Sequence, residues 1–525
     1  ETTKFNETYL LKGVKTDEDV TSLDSVSIKA GKEFKEAFTI KAGSKFYAVD
    51  AAGDIRFYTN MGGVLGVHQL ENGHILMPAS YVLKPSYYKE GMIEIDLMGK
   101  IYGEYMIPGG QHHDFVEMPN GNFLVASDSP DLSTVEDYVV EIDRQTGNVV
   151  WELDMKDLMG TEEGQSASMD TDGSEESDWF HNNGLAYDAG NDLLLLSARH
   201  KDAIVAVNME DKSLAWILGD PTGWDGVDQS YFFTPEGEDF EWFYAQHNVS
   251  ILDNGDIALF DNGTAKVKRM DGDNRVSGDN VYSRAVVYQI DTENMTVSQV
   301  TEYGKERGAD WYSDWISGVA SLDGTQDHLW ITAGSHLHSD EENRSDYYPK
   351  DMFVQGLTKT THIDQVDNGE LSFELTISGD TYNALTYRSF RMPLYTEGKY
   401  DPSAVPEVLG SLGETSYEES SIDVSTTEAL PDGWNFLLDG SKISVNGSFQ
   451  TQTAAADLQA GKLILISGES QRAYQLTQTP SEGDDGTNVT VKGWTAVDGL
   501  EGQEWDIYLE LDGVLYNTGY MYSQA

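Results

Sequence analysis

Apolar and polar residues alternate with a period of two along most of the chain, in short runs separated by turn residues. Asn-Gly pairs stand between such runs, as at Asn72-Gly73 and Asn120-Gly121. A period of two is typical of half-buried β-strands, and Asn-Gly between two such runs is typical of a tight hairpin turn. Sustained helical periodicity is scarce. The pattern therefore predicts an all-β protein built from hairpins in series.

Two kinds of hairpin alternate along the chain. The outer kind often carries an aromatic residue in its second strand; its copies are 46–58, 93–105, 138–153, 203–218, 285–303 and 362–377. The inner kind begins with a polar or small residue; its copies are 66–77, 113–126, 181–197, 247–260, 316–331 and a weaker one near 382–395. Six of each predict six four-stranded blades, that is, a six-bladed β-propeller, with a β-sandwich array or solenoid as the alternative.

The order of the hairpins also predicts how the ring closes. The last inner pair (382–395) has no outer hairpin after it, and the first outer hairpin (46–58) has no inner pair before it. We therefore expect both to share one blade. The predicted domains are an N-terminal arm or remnant of an upstream domain (1–37), the propeller (38–395), a linker (396–427) and a small C-terminal β-sandwich-like domain (428–525).

Charge and composition exclude several classes of function. The chain has 525 residues, 90 Asp and Glu against 34 Lys and Arg, a formal net charge of −56 and no cysteine. Such a chain is repelled by phosphate backbones and anionic lipid, so we expect no nucleic-acid partner. No apolar run approaches the ~18 residues that span a bilayer. Without cysteine there is no disulfide, thiolate ligand or cysteine nucleophile.

The same composition bears on location. An acidic, cysteine-free and aromatic-rich chain suits a secreted or periplasmic protein. The chain starts at Glu1 with no basic and apolar leader, and we therefore expect a mature or trimmed product.

Three histidines stand near the start of inner strands in successive blades. His113 and His247 each lie seven residues before the turn asparagine of their hairpin, and His181 opens the inner strand of the blade between them. Innermost strands line the channel of a propeller, so we expect the three imidazoles to converge there. With only 11 histidines in the chain, this coincidence favours shared chemistry.

Two kinds of site use three imidazoles. One is a metal centre with three histidine ligands. The other is an anion site, in which imidazoles, Arg and amide donors hold a sulfate or phosphate while one imidazole attacks it. Arg199 and Asn183 favour the anion site, because a guanidinium repels a metal cation but binds an oxyanion through paired hydrogen bonds. A metal-dependent hydrolase or lyase is the second hypothesis, and a non-catalytic binding propeller is the third.

Several motifs carry a resemblance to a known family. In chain order they are His112-His113-Asp114, Asp178-Trp179-Phe180-His181-Asn182-Asn183, Ser197-Ala198-Arg199-His200, Gln246-His247-Asn248, Tyr282-Ser283-Arg284 and Tyr303-Gly304-Lys305-Glu306. Over roughly residues 40–395 the chain resembles the bacterial arylsulfate sulfotransferases that do not use a nucleotide sulfate donor. The resemblance implies a six-bladed propeller and ping-pong transfer of a sulfuryl group from a phenolic sulfate ester to a phenolic acceptor.

The resemblance also implies roles for the residues that match the motifs. His247 matches the nucleophile that becomes a sulfohistidine. His181, Asn183 and Arg199 match the residues that bind the sulfate group. His113 matches the remaining channel histidine.

Three further residues are weaker candidates. His112 is the alternative to His113, although the turn register favours His113. Tyr387 and Ser317, on the remaining inner strands, are candidates for contacting the aromatic ring or the sulfate group.

Cofactors and partners complete the expectations. Acidic residues that could bind Ca²⁺ form two clusters: Asp170, Asp172, Glu175 and Asp178, and Asp271 with Asp273. Neither has the spacing of an EF-hand loop, so we expect solvated loops and no cofactor. The expected partners are a small aryl sulfate and a phenol, and the oligomeric state is open, with a homodimer as one alternative. By the resemblance, periplasmic members carry an N-terminal β domain and a disulfide near the nucleophile, and this chain departs from both.

Overall fold

The computed structural model describes a protein made almost entirely of strands. Described are residues 2–4, 7–9, 25–59, 65–79, 89–128, 134–160, 178–264, 281–339, 356–393 and 418–523, with short gaps inside 25–59 and 418–523. Among these residues the one α-helix is a single turn, α1 (Met155–Leu158). No helix in these ranges is long and apolar enough to cross a membrane. The all-β prediction is confirmed.

Within the described residues, twenty-seven strands precede residue 393. They are β1 (Thr2–Lys4), β2 (Glu7–Tyr9), β3 (Ser25–Ala30), β4 (Ala37–Ala42), β5 (Lys45–Val49), β6 (Ile55–Thr59), β7 (His68–Gln69), β8 (Ile75–Pro78), β9 (Lys89–Ile95), β10 (Ile101–Glu117), β11 (Phe123–Ser127), β12 (Tyr138–Ile142), β13 (Val149–Asp154), β14 (Asn182–Asp188), β15 (Leu193–Ala198), β16 (Ala203–Asn208), β17 (Leu214–Gly219), β18 (Thr234–Glu236), β19 (His247–Ile251), β20 (Ile257–Asp261), β21 (Arg284–Asp291), β22 (Thr296–Tyr303), β23 (Gly318–Ser321), β24 (His328–His338), β25 (Thr358–Asp367), β26 (Glu370–Gly379) and β27 (Arg391–Met392).

Strands β4 to β17 and β19 to β27 form the six blades of a β-propeller, as predicted, while β1 and β2 pair with each other in a separate hairpin. From the inner to the outer edge, blade 1 is β27-β4-β5-β6, blade 2 is β7-β8-β9 with the first half of β10, and blade 3 is the second half of β10 with β11-β12-β13. Blade 4 is β14-β15-β16-β17, blade 5 is β19-β20-β21-β22 and blade 6 is β23-β24-β25-β26. Two further strands extend the outer edges, because β18 pairs with β22 and β3 pairs with β26.

One strand runs continuously through two blades. Strand β10 is the outermost strand of blade 2, with regular pairing to β9 up to Met106, and the innermost strand of blade 3 from Gln111, which pairs with both β9 and β11. Gly109 and Gly110 between them have φ of 78° and 93°, and a Cβ on Gly109 would lie 2.0 Å from the Asp128 carbonyl oxygen. Glycine therefore permits the extended crossing that the sequence pattern divides into two separate hairpins.

The two ends of the propeller segment meet in blade 1. Arg391 and Met392 of β27 pair with Phe38 and Ala37 of β4, which closes the ring in one blade as expected. The inner pair predicted near 382–395 is different in detail, because β27 has two residues and its partner β4 comes from the other end of the segment. Residues 25–30, predicted to lie in the arm, form β3 on blade 6.

The hydrophobic core lies between neighbouring blades. Each blade is covered on both faces, so a middle strand such as β15 is buried at every position from Leu193 to Ala198. Leu194 and Leu196 of that strand pack towards blade 3, whereas Leu195 packs towards blade 5. This packing fixes the blades side by side and so fixes the inner strands around a common axis.

A second all-β unit follows the propeller. Its strands are β28 (Glu418–Glu419), β29 (Glu428–Ala429), β30 (Asn435–Leu438), β31 (Lys442–Thr451), β32 (Lys462–Ser467), β33 (Ser470–Gln475), β34 (Thr477–Gly483), β35 (Gly486–Ala496), β36 (Glu504–Leu511) and β37 (Val514–Ser523). They form one sheet of six strands and one of four. Buried residues of both sheets, among them Leu463, Val491 and Trp505, make one core. The domain boundaries themselves stay predictions.

Candidate active site

The inner strands begin with residues in the left-handed backbone conformation. His113, His181, Asn248 and Ser317 have φ of 47°, 55°, 67° and 94°. The strand pairing shifts register at this point in blades 3, 4 and 5. Non-glycine residues rarely adopt positive φ, and such backbone strain clusters at functional sites. Because of this irregularity, the first residues of these strands do not take part in the regular hydrogen-bond ladder of the sheet.

The register of blade 4 differs from the one expected. Phe115 of blade 3 pairs with Val125, and Leu185 of blade 4 pairs with Leu196. Val125 and Leu196 are equivalent, because each lies two positions before the end of its strand. His113 lies two residues before Phe115, so its equivalent in blade 4 is Asn183, and His181 lies just before β14. The ring of His181 nevertheless reaches His113, with 4.9 Å between the ring centroids.

His181 is held between two carboxylates. Its Nδ1 lies 2.7 Å from Glu136 Oε2 and 2.8 Å from Asp178 Oδ2. Burial alone would favour the neutral imidazole, but the charges of Asp178 and Glu136 outweigh it and raise the pKa of His181 to about 10. His181 is therefore an imidazolium at neutral pH. The pKa of Asp178, which is half-buried, is lowered to about 2 by His181 and His200.

His247 is held in the opposite protonation state. Its Nδ1 donates to Asn262 Oδ1 over 2.8 Å, and Nε2 accepts a hydrogen bond of 3.1 Å from the Ile316 amide. The Asn262 amide is oriented by its own NH₂ group, which donates to the Ser313 and Ile316 carbonyls. Burial, followed by the positive charge of Arg199, lowers the pKa of His247 well below its usual range. The hydrogen bonds thus assign a neutral imidazole whose electron pair is on Nε2.

The rings of His112 and His113 are hydrogen-bonded to each other. His112 Nε2 donates to the Ser127 carbonyl over 2.9 Å, so its Nδ1 accepts from His113 Nδ1 over 3.0 Å. Burial lowers the pKa of His112 to about 4 and also lowers the pKa of His113 well below its usual range. His113, at 5.9 Å from the Tyr387 ring and 4.9 Å from His181, is the member of the pair that faces the other site residues.

Arg199 and Asn183 adjoin the histidines. The Arg199 Nη1 donates to His200 Nε2 over 2.9 Å, while His200 Nδ1 donates to the Asp178 carbonyl. Asn183 Nδ2 donates to the Gln246 carbonyl over 2.8 Å. Asn183 Oδ1 is buried and has no hydrogen-bond partner within the described ranges.

The two weaker candidates differ in their placement. The Tyr387 hydroxyl donates to the Asn183 carbonyl over 3.1 Å, which brings Tyr387 into the site. The Ser317 hydroxyl lies within hydrogen-bond distance of Ser313 Oγ and the Gly334 amide inside blade 6. Ser317 therefore stabilises the strand end that carries the Ile316 amide.

The alignment with known sequences follows the same stretch of chain as the site. A family model described as Arylsulfotransferase (ASST) matches residues 23–388. The chain belongs to the arylsulfotransferase family. Arylsulfate sulfotransferase AssT of Escherichia coli O6:H1 is 29% identical over 354 residues, which cover 56% of each sequence. The protein of the same name from Lelliottia amnigena is 29% identical over 325 residues, covering 50% of this chain and 53% of that one. The chain thus spans about half the length of the curated relatives it matches.

Solved structures similar to this arylsulfotransferase-family chain are distant in sequence. Hydrazine synthase of Kuenenia stuttgartiensis shares 12% identity with a TM-score of 0.32, covering 74% of this chain and 78% of the other. A 6-phosphogluconolactonase candidate from Bacteroides uniformis shares 10% identity with a TM-score of 0.34, covering 69% and 99%. These similarities are too low to bear on function, and the propeller assignment rests on the strand order itself.

Two groups of side chains in this site have ligand atoms that lie close enough to one another to hold a metal ion. They are His113 with Glu136 and His181, and Asp178 with His181 and His200. Neither contains His247. In the second group both ring nitrogens of His200 already have hydrogen-bond partners. Both groups use His181, which is held protonated, and the Arg199 guanidinium contacts His200. The geometry therefore favours an anion over a cation.

Several contributors to the site are absent from the sequence predictions. Asn262 and Glu136 orient His247 and His181, and Arg388 reaches the site from the segment before β27. Asp178 precedes His181 by three residues, a spacing that could have indicated the ion pair. The sequence around Glu136 carries no such signal. Of the acidic residues considered for Ca²⁺ binding, those at 170–175 and 271–273 lie outside the described residues, whereas Asp178 pairs with His181 and His200.

Proposed function

We propose that this chain transfers a sulfuryl group from an aryl sulfate ester to a phenol, with His247 as the nucleophile that carries the group. The observation that supports this most is the contrast between two histidines of one site. His247 is neutral and its Nε2 holds an electron pair. His181, in contrast, is kept in its protonated form by two neighbouring acidic side chains. Environments that separate two pKa values in this way supply a nucleophile and an acid at the same pH.

The first half-reaction follows from these states. The Nε2 electron pair of His247 leaves its hydrogen bond with the Ile316 amide and forms a bond to sulfur as the bond between sulfur and the aryl oxygen breaks. The electron pair of that bond goes to the aryl oxygen, which takes the proton of His181 and leaves as a phenol. Asn262 accepts a hydrogen bond from Nδ1–H throughout. It thereby stabilises the positive charge that the imidazole acquires.

The second half-reaction returns the enzyme to its starting state. The acceptor phenol gives its proton to His181, now neutral, and its oxygen attacks sulfur. The nitrogen–sulfur bond breaks and its electron pair returns to His247 Nε2. Arg199, whose charge acts on His247, and Asn183 are the groups we propose for holding the sulfuryl oxygens through both steps.

The partners and location remain part of the proposal. The family supports a small aryl sulfate as donor, and the neutral nucleophile supports a phenol as acceptor. A secreted or periplasmic location is supported by composition alone. No cofactor is needed for either half-reaction.

Mass spectrometry tests the covalent step directly. After incubation with 4-nitrophenyl sulfate and no acceptor, we expect an adduct of roughly +80 Da on the peptide containing His247. Added phenol should remove it and sustain nitrophenolate release. His247→Ala should abolish both the adduct and turnover, whereas His328→Ala, which changes an exposed histidine on blade 6, should leave them unchanged. Unchanged nitrophenolate release by His247→Ala would contradict the proposal. Loss of activity on treatment with a chelator, together with a stoichiometric amount of metal in the purified protein, would favour the metal hypothesis.

A further inference from the structure

Arg388 brings a second guanidinium to the site, from the blade in which the two ends of the propeller meet. Its side chain is 12% exposed. One Nη group donates to Asp114 Oδ2 over 2.8 Å, and the other donates to the Asn183 carbonyl over 3.0 Å. Asp114 lies on the inner strand of blade 3 and Asn183 on that of blade 4. Arg388 therefore connects three blades across the axis.

The contact with Asn183 leads to the nucleophile in two steps. Tyr387 donates to the same Asn183 carbonyl, so two neighbouring side chains fix this one peptide group. The Asn183 side chain then donates to the carbonyl of Gln246, the residue before His247. A change in Arg388 is thus transmitted to the backbone that carries His247.

The charge of Arg388 acts on the imidazoles as well. A guanidinium stays protonated at every accessible pH. After burial, the charged groups that lower the pKa of His247 are Arg199, His181 and Arg388. For His113, Arg388 and the neighbouring imidazoles of His181, His112 and His247 lower the pKa, and Glu136 Oε2 lies 3.8 Å from its Nδ1.

Asp114 makes this buried charge tolerable. It is itself buried, yet Arg388 and His68 lower its pKa to about 2. It is therefore a carboxylate at any working pH. It pairs with one Nη group of Arg388 while the other contacts the Asn183 carbonyl, and an ion pair of this kind costs less than a lone buried charge.

We propose that Arg388 is a positioning residue of this site: it fixes the Asn183 carbonyl and places a permanent positive charge near His113 and His247, so that both remain neutral and His247 remains nucleophilic. This inference rests on the proposed function for its catalytic consequence. Its electrostatic part concerns the resting protein and is independent of any substrate.

NMR titration of ¹³C-labelled histidines in the resting protein tests the electrostatic part. Signals are assigned with His113→Gln and His247→Asn. In Arg388→Gln, loss of the positive charge should move the titration of His113 and His247 to higher pH by about one unit. The acidic limb of kcat/KM should move in the same direction. Arg388→Lys keeps the charge but loses the two-pronged contact, so its titrations should match the wild type while kcat falls.

Arg391→Gln is the matched control. Arg391 is a half-buried arginine three residues further on, and it contacts Gln365 and Glu36 rather than the site. Arg391→Gln should lower the stability of the protein without shifting the titration of His113 or His247. Unchanged titrations in Arg388→Gln, or equal shifts in Arg391→Gln, overturn the inference. If Arg388→Gln does not fold, an unchanged kcat in Arg388→Lys overturns it. The wild-type adduct experiment judges the proposed function separately.

Discussion

At the scale of residues, the site uses one side-chain type in two protonation states. His247 is buried and faces a carboxamide and positive charge, whereas His181 is half-buried and faces two acidic side chains. The turn register in the sequence finds His113 and His247 because equivalent strands carry them. It cannot assign protonation, because Asn262 and Glu136 come from other parts of their blades.

A change at Asp178 should alter the alkaline limb of the pH profile. Asp178→Asn removes the stronger of the two charges that raise the pKa of His181 to about 10, so this pKa should fall. If His181 acts as the acid, the alkaline limb of kcat/KM moves to lower pH, as measured between pH 6 and 11. Asp188→Asn, in the exposed turn of the same blade, is the control. An alkaline limb that stays in place contradicts the assignment of His181 as the acid.

The same shift has a consequence for stability. The folded-state pKa of His181 lies above its ordinary value of 6.5. Its ion pair with Asp178, whose pKa is held at about 2, therefore stabilises the fold fully below about pH 6.5, and this contribution is lost as the pH rises towards 10. Asp178→Asn should weaken this dependence.

At the scale of elements, the inner strands follow one plan with local departures. The period-two pattern and turn pairs predict the hairpins well, because both are local properties of the sequence. The irregular strand starts at His113, His181 and Asn248 are not predicted, because tertiary packing imposes their positive φ against ordinary backbone preference. The sixth inner strand is likewise hard to predict, since β27 has two residues and its partner is far away in sequence.

Gly184 tests how closely the inner strands must approach each other. A Cβ at this position would lie 2.8 Å from the Asn248 Cα, next to His247. Gly184→Ala should therefore displace the strand that carries His247, destabilise the fold by about 1–3 kcal/mol and lower kcat on the order of tenfold or more. Denaturant unfolding and steady-state kinetics measure these effects.

Gly190→Ala is the control for Gly184→Ala. It lies in the turn of the same hairpin, where the nearest atom is the end of the Asp188 side chain at 3.3 Å. Its effects should be small. Equal effects of the two substitutions would show that close approach of the strands does not govern the position of His247.

At the scale of the whole molecule, the ring holds together through the blade 1 closure. Phe38 of β4 is fully buried and contacts Trp330 and Phe373 of blade 6, with ring centroids 5.1 and 5.6 Å away. The alternation of hairpins predicts that one blade contains both chain ends. It does not predict this aromatic cluster, because its members are separated by about 300 residues of sequence.

Phe38→Ala should therefore affect the whole propeller. Removing a fully buried aromatic ring costs about 3–5 kcal/mol, and we expect this loss in the free energy of unfolding measured with urea. Tyr58→Ala on the outer strand of the same blade removes a ring that is 38% exposed, and should cost less than about 1 kcal/mol. Similar losses for both variants would show that the closure does not depend on this cluster.

The closure also sets the order in which a newly made chain can finish folding. Thr39 and Phe390 exchange hydrogen bonds although they are 351 residues apart. Strand β4 leaves the ribosome long before β27, so the edge that will pair with β27 stays open until the last blade has been synthesised. An open strand edge invites pairing with other chains, and contacts at this separation form slowly. The risk of misassembly should therefore be concentrated in the interval between synthesis of the first blade and arrival of residue 392.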